Sequence, residues 1–425
     1  MQDSEKIDIS QGDDFTSTNP DGLAKTLFLV YAISAVGTAA RFISRMFIEL
    51  YAVVIRTDEV KAFGTALALI TSLRNLIQLA FQSSFGRISD FLGRKTLILI
   101  GLFGSGVTLS LFPLIRNVWV LVIGVVFFSL FIACYSPAFT ALLGDLTKKE
   151  NRASLLNLVT LIGAIASLIC LLVAGSLSTG GSTEHLQYTI ILESATGLFL
   201  ITGIISIFLT NPPTEKLEKK DVLSFAPLRK NKRFRNFVVV GSLMGFSMSL
   251  GWPIFPVVRA EYASAQQNTY LWAAFSGFMI LTLLVTKPFI DRMSRKSILF
   301  IGRFVMFFVP LNLVITVLWV PEWWHMAIGT AVSGFGNGFY IVGESAFILD
   351  SATEKEKGTY TGLFYFFMGI ATFLGSLLSG ILRDIVELSL GEWHTIIVFL
   401  WIITGMRFTA SLGFLLVKSP KNANE

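Results

Sequence analysis

The sequence predicts an all-α integral membrane protein of twelve transmembrane helices, arranged as two pseudo-symmetric halves of six. Three observations carry this reading. Of the 425 residues 53% are hydrophobic and only 15% charged, where an ordinary soluble domain carries about 25% charged residues. Apolar runs long enough to cross a bilayer, about 20 residues each, recur along the whole chain. One loop sequence also returns, altered, at a constant offset of 201 residues. The mean hydropathy of +0.68 leaves more apolar surface than a soluble core can hide.

Residues 1–25 form a polar, acidic N-terminal tail. They lack a basic start followed by an apolar stretch, so no cleavable signal is expected. Hydropathy then places spans at 26–54, 60–84, 96–115, 118–144, 153–178 and 187–210, which make the first half, 26–210. Residues 211–235 are the long charged linker. The second half, 236–417, holds spans at 236–258, 268–288, 297–319, 325–349, 359–382 and 394–417, and 418–425 is a polar tail.

The net charge of +6 lies in short loops, so it bears on membrane orientation and not on nucleic acid. With the N-terminus cytoplasmic, 24 Lys and Arg face inward. Five face outward: Arg56, Lys61, Arg116, Arg259 and Arg383. That ratio puts both termini in the cytoplasm and the chain as a multi-pass protein in the plasma membrane. Seven tryptophans (Trp119, Trp252, Trp272, Trp319, Trp323, Trp324 and Trp393) fall near the outer boundary, as an aromatic belt. Cys134 and Cys170 sit in apolar segments as small hydrophobes. His185, His325 and His394 are scattered at outer positions, so no metal site is expected, nor any cofactor. No nucleotide loop or hydrolase signature is present, which argues against an enzyme and against ATP-driven pumping.

The repeated loop reads GRISDFLGRKTLILIG (86–101) after span 2 and KPFIDRMSRKSILFIG (287–302) after span 8. Asp90, Arg94 and Lys95 thereby match Asp291, Arg295 and Lys296, and Asp145 at the end of span 4 corresponds to Asp350 at the end of span 10. Twelve spans in two halves, a basic central linker and the pattern G-x-x-x-D-x-x-G-R-K (Gly86, Asp90, Gly93, Arg94, Lys95) resemble the major facilitator superfamily of secondary transporters. The resemblance covers nearly the whole chain. It implies two halves rocking about a central site, and a cytoplasmic latch formed by Asp90, Arg94 and Asp145. Asp291, Arg295 and Asp350 would form the equivalent latch, although Lys287 and Ser294 stand where the first loop has glycines. The plainer alternative is that Arg94 and Lys95 only set topology.

Charges inside the spans need a reason. In RFISRMFIEL, Arg41, Arg45 and Glu49 are one helical turn apart and form one stripe. A charge at mid-membrane costs about 2.5–3.5 kcal/mol on insertion scales, so it belongs against water or a partner. Glu49 is placed to pair with Arg45, which leaves Arg41 without a local counter-ion. Arg74, Gln78 and Gln82 make a second stripe in span 2. Arg41, Arg74 and Arg45 are therefore the substrate-binding candidates, because guanidinium offers paired donors to a carboxylate or phosphate. The alternative is structural pairing with Glu49, Glu193 or a carbonyl at a helix break, and for Arg45 the pair with Glu49 is preferred. Glu344, in the glycine-rich SGFGNGFYIVGESAF of span 10, is the proton-coupling candidate, with Glu49 as a second. Desolvation lets such a carboxylate load and release a proton; its alternative is an ion pair with Arg303 or Arg407. By the resemblance, the helix of Arg407 lies outside the cavity, so Arg407 is read as structural. Gly334, Gly336 and Gly338 read as packing positions.

The expected activity is secondary active transport by alternating access of a small anionic solute, coupled to protons. The alternative is a proton-coupled multidrug-type exporter of lipophilic or cationic compounds. By the resemblance such exporters carry a Gly-Pro pair in span 5, and ASLLNLVTLIGAIASLICLLVAGSLS has none. A sensor or a channel is the third class considered, disfavoured by the intact first-half motif.

Overall fold

A computed structural model describes residues 20–57, 62–145, 152–209, 225–286, 293–352 and 357–418; within these, the side chains of residues 20–25, 79, 82–84, 86, 87, 90, 91, 144, 145, 152–157, 349, 357 and 358 are excepted. The first half holds α1 (Pro20–Val54), α2 (Phe63–Leu92), α3 (Arg94–Ser110), α4 (Val118–Asp145), α5 (Arg152–Ser178) and α6 (Glu184–Ile207). The second half opens with α7, broken into Lys232–Ser249 and Phe255–Tyr262, and α8 (Ala265–Thr286). In α9, Arg295–Phe304 and Phe308–Leu318 are joined by a tighter turn at Val305–Phe307. Then come α10 (Trp323–Ser351), α11 (Lys357–Leu390) and α12 (Glu392–Leu412). Every predicted span has its helix.

Nine of these positions are long and apolar enough to cross a membrane, among the described residues. The other three are α2, the broken α7 and α10. These three bring Arg74, Arg259 and Glu344 to the central cavity.

The backbone is irregular where the sequence withholds helix hydrogen bonds. GWP (251–253) breaks α7, since Pro253 has no N–H to give. The carbonyls freed there must be satisfied inside the protein, because lipid offers no donor. Arg407 donates to Met248 O (2.9 Å), Ser379 to Leu250 O (2.6 Å) and Arg383 to Pro253 O (2.8 Å). Arg407 also reaches Met306 O (3.3 Å) in the tight turn of α9, so one guanidinium staples two kinks. Between α2 and α3, Gly93 has φ 88°, a left-handed conformation that favours glycine at this motif position. At the equivalent point before α9, Ser294 is extended instead and caps the helix, accepting from Ser297 N–H. On α10, a Cβ at Gly334 would stand 2.1 Å from Phe275 O of α8, so the glycine permits this close crossing.

Among the described residues, the halves meet closely at the end away from the linker. There α2 crosses α11, with Gly64 against Gly380. Ala62, the residue before α2, has φ 57° and provides no side-chain cap. The cap comes from the other half: Asp384 accepts from Gly64 N–H (2.7 Å), Thr65 N–H (2.8 Å) and the Thr65 hydroxyl (2.5 Å). Arg56 pairs with Glu387 (3.4 Å) and with Glu392, and Arg383 pairs with both glutamates as well. Arg383, expected in an outer loop, is wholly buried: α11 continues to Leu390 because these carboxylates travel with the charge.

Candidate functional site

A cavity of about 700 Å³ lies between the two halves. From the first half, α1, α2 and α4 reach it with Phe42, Arg45, Glu49, Thr71, Arg74 and Pro137 among others. The second half adds Trp252, Arg259, Trp272, Phe275, Arg303, Tyr340, Glu344, Tyr365 and Arg407. Five arginines and two glutamates therefore share one wall, together with a band of aromatic rings.

The two acids both stand beside a cation. Glu49 pairs with Arg74 across the α1–α2 contact at 2.8 Å, and Arg74 also donates to Arg45 O at 3.1 Å. The expected partner within α1, Arg45, is instead exposed to the cavity with no ion pair among the described residues. Arg74 reaches Glu49 better because it approaches from a neighbouring helix and is itself almost fully buried, at 3% exposure. Glu344 stands with Arg303, Tyr340 and Tyr365 around its carboxyl. The Arg303 guanidinium lies 3.3 Å above the Tyr340 ring.

Three further arginines line the cavity without an ion pair among the described residues. Arg45 has been described. Arg259, counted in an outer loop by hydropathy, is carried back to the wall on the second segment of α7 and lies 4.3 Å over Trp272. Arg407 lines the cavity too, although family resemblance placed its helix outside it; its guanidinium is held by the carbonyls at the kinks of α7 and α9. Arg41 does not line the cavity. It bonds within α1, to Gly37 O and the Thr38 hydroxyl, and its guanidinium lies 5.0 Å over Tyr135 of α4. Trp252 and Trp272, assigned to an outer belt, also face the cavity.

Trp272, Phe42 and Phe275 form a cluster with centroids 5.8–6.4 Å apart, contributed by α1 and α8. Around the wall, Thr71 Oγ1, Arg74 Nε, Trp272 Nε1, Arg303 Nε and Arg407 Nε are buried without a hydrogen-bond partner among the described residues. Buried donors are normally satisfied, so this wall holds unused hydrogen-bonding capacity. Sequence reasoning missed Arg259 and Arg303 as wall residues. Their type was a signal, but the address of Arg259 depended on the break in α7, and Arg303 was read only as a possible partner of Glu344.

Of the motif residues, Arg94 is buried and donates to the Ser89 hydroxyl. Lys95 follows it on the first turn of α3. Gly86 and Asp90 lie on α2 and Asp145 ends α4, but their side chains are outside the described residues, as is Asp291 entirely. In the second half Arg295 Nε donates to Asp350 Oδ2 at 2.9 Å. Among the described residues no group of His, Cys, Asp and Glu could hold a metal.

Two sets of helices enclosing a charged cavity describe a polytopic membrane fold with a central site. A model of the Major Facilitator Superfamily matches residues 37–250 and 237–425, and the chain belongs to that family. It is 25% identical to a bicyclomycin resistance protein homolog of Haemophilus influenzae, over 60% of this chain and 66% of that one. It is 26% identical to the class D tetracycline resistance protein of Salmonella ordonez, over 58% and 61%. The chain thus spans just under two thirds of the length of these relatives. Among solved structures it is similar to the nucleoside transporter NupG (TM-score 0.72, 13% identity, 93% and 99% covered). A D-xylose-proton symporter is similar to the same degree (TM-score 0.71, 14% identity, 93% and 97% covered). At such identities the likeness speaks for the fold alone.

Proposed function

We propose that this transporter moves an organic anion with an apolar body by alternating access, coupled to protons through Glu344, with both termini in the cytoplasm. The observation that carries the reading is the surplus of arginine: five on the cavity wall against two glutamates, each glutamate already beside its own cation. An unpaired guanidinium at membrane depth costs about 3 kcal/mol. Arg45 and Arg259, which have no ion pair among the described residues, therefore favour an anion or water in the cavity over an empty one. Guanidinium suits a carboxylate or phosphate through paired donors. The aromatic cluster of Phe42, Trp272 and Phe275 offers a face for the apolar part of the solute.

Proton coupling is assigned to Glu344 because its neighbours, Arg303 and two tyrosines, can stabilise either protonation state as the halves move. The cross-half contacts all named at the end away from the linker support a cycle in which that end opens as the other closes. The Arg94 and Arg295 clusters are the corresponding latches at the linker end.

A second reading is export of lipophilic or cationic drugs. It is favoured by the relatives named as bicyclomycin and tetracycline resistance proteins and by the aromatic rings of the wall. A cation, however, would have to compete with Arg74 for Glu49 and with Arg303 for Glu344. Ligand-induced thermal stabilisation of the purified protein tests the choice. A ligand at 100 times its Kd stabilises by about 2.7 kcal/mol. Organic anions should give this shift in the wild type and lose it in Arg45→Ala and Arg259→Ala. A shift by lipophilic cations alone would transfer the assignment to the exporter.

A further inference from the structure

A second cavity, of about 510 Å³, opens on the lipid-facing side of the second half, away from the central site. Its walls are two helical stripes. Arg235, Val238, Val239, Ser242, Leu243 and Phe246 come from the first segment of α7, and Phe367, Ile370, Ala371 and Leu374 from α11. Spacings of three and four residues put each set on one helix face. Val239, Leu243 and Leu374 are more than half exposed, so the groove is open to the bilayer.

Its two ends differ in chemistry. The deep part is apolar. At the linker end stand Arg235 and, on the chain just before it, Arg229, Lys230, Lys232 and Arg233. All five side chains are exposed, and none has an ion pair among the described residues. From Arg235 to Phe246 the helix rises about 16 Å, roughly half of the ~30 Å hydrocarbon core of a bilayer. The groove thus has the depth of one leaflet.

We propose that this groove is a binding site for one anionic phospholipid of the leaflet at the linker end. The phosphate rests on Arg235 and its basic neighbours, and an acyl chain fills the stripe between α7 and α11. Charge complementarity selects the occupant: a zwitterionic lipid fits the apolar part equally but gains less from the five exposed basic side chains. The site lies on α7, whose far segment carries Arg259 to the central cavity, so lipid occupancy bears on a helix the transport site uses.

The test is native mass spectrometry of the full-length protein in detergent, titrated with phosphatidylglycerol or with phosphatidylcholine of the same acyl chains. The wild type should bind phosphatidylglycerol at least about fivefold more tightly, the worth of one cation near a lipid surface. Arg235→Ala should remove about that factor. Ala371→Phe, which fills the groove, should weaken phosphatidylglycerol while the lipid-free melting temperature stays at the wild-type value; Leu243→Trp serves from the opposite wall should that variant not fold. Equal binding of the two lipids, or unchanged phosphatidylglycerol binding in Arg235→Ala or in the groove-filling variant, overturns the proposal. So does displacement of the lipid by water-soluble glycerol 3-phosphate, which would mark a free-phosphate site.

Discussion

Replacing Asp384 with alanine removes the cap that one half of the protein places on a helix of the other. Asp384 accepts from two backbone N–H groups and one hydroxyl at the start of α2, at 2.7, 2.8 and 2.5 Å. Loss of a helix cap costs about 1 kcal/mol, and hydrogen bonds to a charged group are worth about 1.5–3 kcal/mol when buried. Asp384 is only half-buried, so a total of about 2 kcal/mol is appropriate. These bonds exist only while the halves touch at this end. Their loss therefore falls on the closed state and moves the equilibrium toward opening by about 30-fold. Spin labels at Thr57 and Leu388, one on each half, would report the change by pulsed electron paramagnetic resonance. The distance distribution should gain a longer component in Asp384→Ala, and Asp384→Asn should retain part of the closure by still accepting. An unchanged distribution in a folded Asp384→Ala protein would mean that the Gly64–Gly380 crossing holds this end shut and that the cap contributes little.

Other substitutions test separate parts of the account. Arg407→Leu leaves Met248 O and Met306 O without their donor, at about 1–3 kcal/mol each, and should lower the melting temperature by several degrees, read by differential scanning fluorimetry. Gly334→Ala puts a Cβ 2.1 Å from Phe275 O and should cost about 1–3 kcal/mol, whereas Gly277→Ala on α8, with nothing within 4 Å, should be neutral or stabilising; equal melting temperatures would refute the crossing argument. Glu344→Gln should abolish transport driven by a pH gradient in proteoliposomes while leaving solute exchange at equal pH; loss of both would assign Glu344 to solute binding or to structure.

What was legible in the sequence followed from local pattern. The twelve helices were visible as apolar runs, and the turn at Gly93 lay within the motif. Arg74 and Glu49 were visible as charges in apolar helices. Their partnership was not, since it crosses from α1 to α2 and displaces the pair expected between Arg45 and Glu49. Arg259 and Arg383 looked like loop charges because a hydropathy window ends wherever a charge appears. In the folded chain Arg383 is buried by its counter-ions Glu387 and Glu392, and Arg259 is carried to the cavity by a helix break at Pro253. The role of Arg407 needed both kinks, 101 and 159 residues away in the chain, before its two acceptors could be named. Long-range pairing of charge with backbone leaves no periodic trace.

The central claim is that the arginine surplus of the cavity selects an anion. Its most direct test is uptake by proteoliposomes of the organic anion that stabilises the purified protein most, compared in wild type, Arg45→Ala and Arg259→Ala. The account predicts saturable anion uptake in the wild type and at least about a tenfold loss of kcat/KM in each variant, about 1.4 kcal/mol of lost charge-assisted contact. Wild-type rates in both folded variants, or uptake confined to lipophilic cations, would contradict it.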